Sequence, residues 1–323
     1  MGRSLWFGDC CEAEGAPREA AMTAPAALVI GGNGGMGLSV TKALLKVGYR
    51  VGATLSGLEA IGAFAEAFPD CAAREAADLA RPEELKAEVE HLIGQLGSLN
   101  AVVICAAVAP FAPAETTPFD MFRRTMEINC LSNLAVYQAC LPALRRTRGR
   151  IILTGSWSGV VATPVMASYV ASKFALEGLA DVMRQEAGDW GVDVVLMQPG
   201  ALDTQMMRRS QASLAQVIAA LPEDEAALYG RLYRQMKHRA DEGLAARKFT
   251  APDILAAMVL HALRVETPEA RYPVGEDAEF MCELARSKTD REIDTLILDM
   301  YRTAPIDDKG DGPGTAYLAA RKE

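Results

Sequence analysis

Short apolar runs alternate with helix-patterned segments from residue 26 to residue 274 of this 323-residue chain, and few architectures accept that order. Ala26–Ile30 (AALVI) is apolar throughout and gives way at once to glycines, as a strand buried on both faces does. Apolar residues at helical spacing follow over Gly35–Val47 and stop at Gly48. Arg50–Leu55 reads as a second strand, Leu58–Phe68 as a helix ended by Pro69, and a third strand precedes Asp78. Pro82 opens a helix that runs past His91 to Leu96, and the apolar run Ala101–Ala107 reads as a fourth strand. Phe119–Arg145 is a long helical region and Gly149–Thr154 a fifth strand. Ala167–Gly188 is a helix, and Val192–Met197 a sixth strand ending at Pro199-Gly200. The helix Pro252–Leu263 and the strand Ala270–Val274 close the series. Strand and helix at this rhythm predict an α/β fold, a doubly wound parallel sheet of about seven strands.

Two segments break the rhythm. Thr204–Arg247 is helical, rich in methionine and leucine, and too long for a simple connection, so a helical substrate lid is expected there. Ala304–Gly314 (APIDDKGDGPG) is turn-rich. One domain over 25–303 is therefore expected, with a disordered extension at 1–24 and a flexible tail at 304–323. The net charge of −9, with no basic run, argues against a nucleic-acid partner and for a small molecule. Seven scattered cysteines without a C-x-x-C, and only three histidines, fit neither a disulfide framework nor a metal site. They read as free thiols in a reducing compartment. No secretory leader is legible, and the longest apolar stretch, Ala101–Ala114, is too short for a membrane span and holds two prolines. A cytoplasmic protein without a membrane span is expected.

The first strand ends in Val29–Gly37, V-I-G-G-N-G-G-M-G, with five glycines in nine residues. A bare turn between strand and helix lets a pyrophosphate approach free N–H groups at the positive end of the helix. Gly31, Gly35 and Gly37 carry the spacing G-x-x-x-G-x-G, and Asn33, Gly34 and Met36 complete the turn. Further on, Tyr169 and Lys173 stand at i and i+4 on one helix face, and Ser156 follows the fifth strand, where a parallel sheet places its ligands. An ammonium beside a phenol favours phenolate and lowers its pKa, making the tyrosine a proton donor and acceptor near neutrality. A serine hydroxyl can hold a carbonyl oxygen at the same point.

At these residues the chain resembles the short-chain dehydrogenase/reductase family, whose fold is the Rossmann-type doubly wound sheet. The resemblance spans roughly residues 25 to 280. It rests on Gly31, Gly35 and Gly37, on Asp78-Leu79, on Asn129, on Ser156 with the Tyr169–Lys173 pair, and on Pro199-Gly200 followed by Thr204. It implies that Tyr169 shuttles a proton, and that Lys173 lowers the Tyr169 pKa and hydrogen-bonds the nicotinamide ribose. It also implies that Ser156 polarises the carbonyl and that Asn129 holds a water leading from Lys173 to solvent. Asp78 and Leu79 would contact the adenine, and Pro199, Gly200, Leu202 and Thr204 would lie over the nicotinamide. A homodimer or homotetramer, formed by the helices carrying Asn129 and Tyr169, is implied as well. Two departures stand out. Ile30 replaces the usual threonine, and the N-N-A-G run after the fourth strand reads Ile104-Cys105-Ala106-Ala107, with Cys105 and Ala106 at the cofactor position.

The second strand ends V51-G-A-T-L-S-G57, with no acid to hydrogen-bond a ribose 2′-OH and no arginine for a 2′-phosphate. With Ser56 at that position nothing repels a 2′-phosphate, so NADP(H) is favoured and NAD(H) stays open; Arg74 is a possible aid. A-T-L-S and the later R271-Y-P-V-G-E-D-A278 resemble the steroid and retinoid (17-beta-hydroxysteroid dehydrogenase-like) branch. The lid offers Met206, Met207, Leu214, Val217, Ile218, Leu221, Leu228, Tyr229, Leu232, Tyr233 and Met236. Such a surface suits a bulky lipophilic secondary alcohol or ketone, although apolar stripes also serve plain packing. Two other readings stay open: an epimerase or dehydratase on the same fold, and a nucleotide-binding regulatory protein without turnover.

Overall fold

A computed structural model describes residues 24–246 and 248–302. The sheet holds β1 (Ala26–Ile30), β2 (Arg50–Leu55), β3 (Ala73–Ala76), β4 (Ala101–Ile104), β5 (Arg150–Thr154), β6 (Asp193–Pro199) and β7 (Arg271–Val274). Its order is β3-β2-β1-β4-β5-β6-β7, every pairing parallel. The strand order reverses between β1 and β4, and ligands of open α/β sheets bind outside such a switch point. Ile30 pairs with Thr54 and with Ile104, so three strand ends reach the same edge together.

Alternation along each strand builds two cores. In β1, Ala26, Leu28 and Ile30 enter one layer and Ala27 and Val29 the other. The first layer is covered by α3 (Pro82–Leu96), α5 (Ser132–Thr147) and α6 (Ala167–Gly188), through residues such as Leu92, Leu144 and Leu176. The second is covered by α1 (Gly35–Lys46), α2 (Glu59–Ala67) and α9 (Pro252–Arg264), through Leu44, Phe64 and Val259. The seven-stranded doubly wound sheet expected from the sequence is thus present.

Several boundaries differ from the sequence reading. β4 stops at Ile104 instead of Ala107: the Cys105 N–H still donates to the Ile30 carbonyl (2.9 Å), but β1 ends there and offers no further ladder. Phe119–Arg145 resolves into α4 (Phe119–Met126), a π turn at Glu127–Leu131, and α5. The expected lid is two helices, α7 (Gln205–Ala219) and α8 (Glu223–Ala245), because Pro222 starts a new helix and cannot continue the old one. Beyond β7 the chain adds α10 (Glu276–Ser287) and α11 (Asp290–Arg302), which the sequence pattern did not resolve. The expected extension at 1–24, but for Ala24, and the tail at 304–323 lie outside the described residues, as do Cys10 and Cys11. Cys71, Cys105, Cys130, Cys140 and Cys282 are buried free thiols.

Two glycines of the first turn are required by space. Gly31 has a left-handed φ of +79°, and a β-carbon there would lie 2.7 Å from that of Ala106. A β-carbon on Gly37 would lie 2.1 Å from the Gly31 carbonyl oxygen. Gly37→Ala is expected to cost about 1–3 kcal/mol in urea unfolding, through forced backbone movement. Gly62→Ala on α2, where a β-carbon meets nothing within 4 Å, should instead gain up to about 1 kcal/mol from helix propensity.

Candidate active site

The glycine turn leaves a helix end open. The Gly31 N–H donates to Thr54 Oγ1 (3.0 Å) and the Gly32 N–H to the Thr54 carbonyl (2.8 Å), tying the turn to β2. Gly34 is the N-cap of α1, no side chain caps the helix, and its first turn contains no acid. The first N–H groups of α1 therefore lack intrahelical partners, a fit for an anionic phosphate. Gly35 lies against Thr204, where a β-carbon would come within 2.9 Å of the threonine. Asn33 pins the end of β2: its Nδ2 donates to Ser56 Oγ (2.9 Å) and its Oδ1 accepts from the Ser56 N–H (3.0 Å). Asp78 is exposed and accepts from the Ala80 N–H (3.0 Å), while Leu79 is buried. Arg74 donates one hydrogen bond from Nη2 to the Cys71 carbonyl, just before β3 (2.7 Å). The Cys105 side chain is sealed in the second core layer, leaving only its backbone at the sheet edge.

Ser156, Tyr169 and Lys173 line one cavity of about 410 Å³. Ser156 Oγ accepts from the Ser158 N–H (3.1 Å) and is hydrogen-bonded to Tyr169. Lys173 is 1% exposed, and its Nζ donates to the Thr154 carbonyl at the end of β5 (2.8 Å). Burial brings the lysine pKa down to about 8, against the fields of Cys130 and Glu177. Burial likewise pushes the Tyr169 phenol above its ordinary value, and the Ser156 hydrogen bond opposes that. The expected depression of the Tyr169 pKa by Lys173 is not found in these side chains. The ammonium sits 5.7 Å from the centre of the tyrosine ring, bonded to Thr154, and its own loss of solvation disfavours its charged form.

Asn129 stands one layer behind, in the π turn between α4 and α5. Such turns are rare and cluster at functional sites. Its Nδ2 donates to the Val108 carbonyl (2.8 Å) and to Ser172 Oγ (2.9 Å), and its Oδ1 accepts from the Val108 N–H (2.9 Å). Both amide hydrogens are thus spent on positioning. The Asn129 main-chain carbonyl accepts from Asn133 Nδ2 (3.0 Å).

Pro199, Gly200, Leu202 and Thr204 border the same cavity as Lys173, as does Met36. A β-carbon on Gly200 would overlap the Asp277 carboxylate, which accepts from the Ala201 N–H (2.8 Å). Thr204 caps α7 by accepting from the Met207 N–H (3.2 Å). Four of the lid residues read from the sequence, Met206, Met207, Leu214 and Met236, reach the cavity. Leu214, Val217, Ile218, Leu221, Tyr229, Leu232, Tyr233 and Met236 pack with Val165, so packing and lining share the stripe. Val165 has φ +55°, unusual for a β-branched residue; its carbonyl accepts from the Ala112 N–H (2.9 Å) and its side chain is buried. Sequence reasoning missed the wall made by Met281, Ile297, Met300 and Tyr301 of α10 and α11. The run R271–A278 was the available signal, since it carries Asp277 and precedes that wall.

Residues 25–215, more than half the chain, match the short chain dehydrogenase family, and the chain belongs to it. It is therefore an oxidoreductase of that family. It is 30% identical over 263 residues to estradiol 17-beta-dehydrogenase 2 of Rattus norvegicus, covering 77% of this chain and 68% of the relative. The resemblance to the steroid branch is borne out by that relative. Over 280 residues it is 28% identical to 3-amino-tetrahydro-pyrrolizinone reductase of Xenorhabdus hominickii, covering 84% and 94%. A short chain dehydrogenase of Burkholderia cenocepacia J2315, solved in complex with NADP, shares the fold with a TM-score of 0.65 at 22% identity, covering 86% and 98%. No helix among the described residues is long and apolar enough to cross a membrane.

The Lys173 pKa has a consequence for stability. A lysine at about 8 when folded and 10.5 when unfolded binds fewer protons in the native state between those values. Native stability from this group is therefore full above 10.5 and lost as pH falls through 8. Relative to Lys173→Met, the wild type should gain up to about 3 kcal/mol between pH 8 and 10.5, read by denaturant unfolding across that range.

Proposed function

We propose that this protein interconverts a secondary alcohol and a ketone with NADP(H), on a bulky lipophilic substrate. The observation that carries the reading is the meeting of Ser156, Tyr169 and Lys173 on the wall of a cavity that also reaches Met36 and Thr204 beside the glycine turn. The open N-terminus of α1 fits a pyrophosphate, and the absence of an acid at the end of β2 fits a 2′-phosphate near Ser56. A structural neighbour solved with NADP supports the same cofactor. Gly31–Gly37 with Cys105 and Ala106 would hold the pyrophosphate side, Asp78 and Leu79 the adenine, Tyr169 and Lys173 the ribose, and Pro199–Thr204 the nicotinamide. Held there, a nicotinamide would supply the hydride chemistry at the carbonyl carbon.

The chain's own groups handle the oxygen. Ser156 donates to the carbonyl oxygen and holds it beside the Tyr169 hydroxyl. Tyr169 gives its proton to the oxygen as the alkoxide forms, or takes it back in oxidation. Lys173, held by Thr154, keeps its amine 5.7 Å from the centre of the Tyr169 ring and hydrogen-bonds the nicotinamide ribose. Asn129 holds the Val108 backbone and the Ser172 hydroxyl, on the helix between Tyr169 and Lys173, in place. The methionines of α7 and α8 and the side chains of α11 exclude water from an irregular apolar ligand. The likeness to a 17-beta-dehydrogenase supports a polycyclic or comparably bulky substrate. A homodimer or homotetramer is part of the same proposal, through the face where Phe119 of α4 and Phe174 and Val182 of α6 stand exposed.

Titration with NADPH and NADH, followed by nicotinamide fluorescence, should show tighter binding of NADPH. Tyr169→Phe should still bind NADPH, weakened at most severalfold by loss of the ribose contact, while ketone reduction falls by about 10²–10⁴. Failure of both nucleotides to bind would overturn the enzymatic reading. Retained turnover in the Tyr169→Phe variant would remove the tyrosine from its role.

A further inference from the structure

The substrate half of the cavity is apolar at its base and cationic at its rim. Arg239 of α8 and Lys248, just beyond it, both line the cavity. Asp277 is the one carboxylate among the lining side chains of the described residues, and it is engaged by the Ala201 N–H beneath Gly200. In a chain of net charge −9, two cations without an answering acid are not what composition alone would place on a ligand wall. Arg239 uses Nη1 to donate to the Met300 carbonyl (2.6 Å), in the last turn of α11, and has no carboxylate partner among the described residues. A guanidinium carries five N–H donors, so donor capacity remains. Its charge is felt within the cavity: burial pushes the Tyr301 phenol up, and Arg239 opposes that shift. The Lys248 side chain is exposed and has no hydrogen bond or ion pair among the described residues. The other polar side chains of this half are weaker claimants: Gln211 donates to the Ala240 carbonyl (2.9 Å), and Ser210 faces the Ala109 carbonyl (3.5 Å).

We infer that the lipophilic ketone or alcohol carries an anionic group, in the simplest case a carboxylate, at the end remote from the reacting carbon, and that Arg239 and Lys248 select it. The planar fork of arginine matches a carboxylate with two parallel hydrogen bonds, and lysine adds a point charge that solvent does not fully screen at the rim. Methionines and α11 hold the apolar middle of the molecule while Ser156 and Tyr169 hold its oxygen. A neutral analogue fills the same apolar space but leaves the two cations unanswered, so discrimination appears against the ester and not against the ring system. This assignment rests on the proposed ketone reductase activity, and the two can fail separately.

The test uses the full chain with NADPH and a series of ω-oxo-ω-phenylalkanoates of increasing chain length, each paired with its methyl ester. For the acid of fitting length, kcat/KM should exceed that of its ester by about tenfold or more, a difference that shrinks as salt is added. Lys248→Gln, at an exposed position, should bring the acid-to-ester ratio down severalfold, and Lys248→Glu should bring it below one. Arg239→Gln should remove the preference and Arg239→Lys keep part of it; the first also removes a donor from the Met300 carbonyl, so the variant's melting temperature is measured alongside. Binding of acid and ester to the NADPH-loaded Tyr169→Phe variant, by calorimetry, reads the preference without turnover. Equal kcat/KM and equal binding for every acid and ester pair would overturn the inference while leaving ketone reduction standing. Preferential binding of the acid with no reduction of any ketone would keep the inference and overturn the proposed reaction. A preference unmoved by both Lys248 variants and by Arg239→Gln would overturn the assignment of these two residues.

Discussion

A lysine amine taken out of water anchors the site. Lys173 reaches from α6 to the last carbonyl of β5, and that single hydrogen bond sets the helix against the strand end from which Ser156 departs. An isolated buried ammonium is costly, so its neighbours have to be arranged around it. One turn further along α6, Glu177 supplies an anion, itself held by Gln198 Nε2 (2.7 Å) on β6 and by Arg271 Nε (2.7 Å) on β7. Arg271 then reaches Asp181 (2.9 Å), a further turn along the helix. A chain of charges thus fastens α6 to three strands, and removal of one member would leave another buried and unpaired. Tyr169 inherits its position from that fastening.

The same economy of space governs the opposite wall. Gly37 is bare because the Gly31 carbonyl occupies the place of its side chain, and Gly200 is bare because Asp277 does. Gly35 leaves room for Thr204, which joins the turn after β1 to the loop after β6. Close approaches of this kind bring segments more than 160 residues apart into one binding edge without any large side chain between them. Asn33 and Ser56 complete the edge by pairing across the ends of β1 and β2.

Above this edge the cavity is roofed by elements that have no part in the sheet. The break at Pro222 turns one expected lid into two helices, and α11 closes over them, tied by Arg239 to the Met300 carbonyl. Methionine-rich roofing over a base built on the sheet edge is a division of labour: the base positions the reacting oxygen, and the roof chooses the molecule that carries it.

The order of strands and helices was legible in the sequence, because buried parallel strands are apolar runs and their covering helices repeat every 3.6 residues. The glycine turn, Ser156, Tyr169 and Lys173 were legible for the same local reason: their spacing along one turn or one helix face already states who their neighbours are. Four things came only from the tertiary structure. The commitment of Asn129 to Val108 and Ser172, the raised phenol of Tyr169, the left-handed backbone at Val165 and the wall from α10 and α11 all depend on distant partners. Sequence spacing records contacts within a turn of helix or a strand, whereas burial, which decides pKa values and cavity walls, is set by segments a hundred residues away.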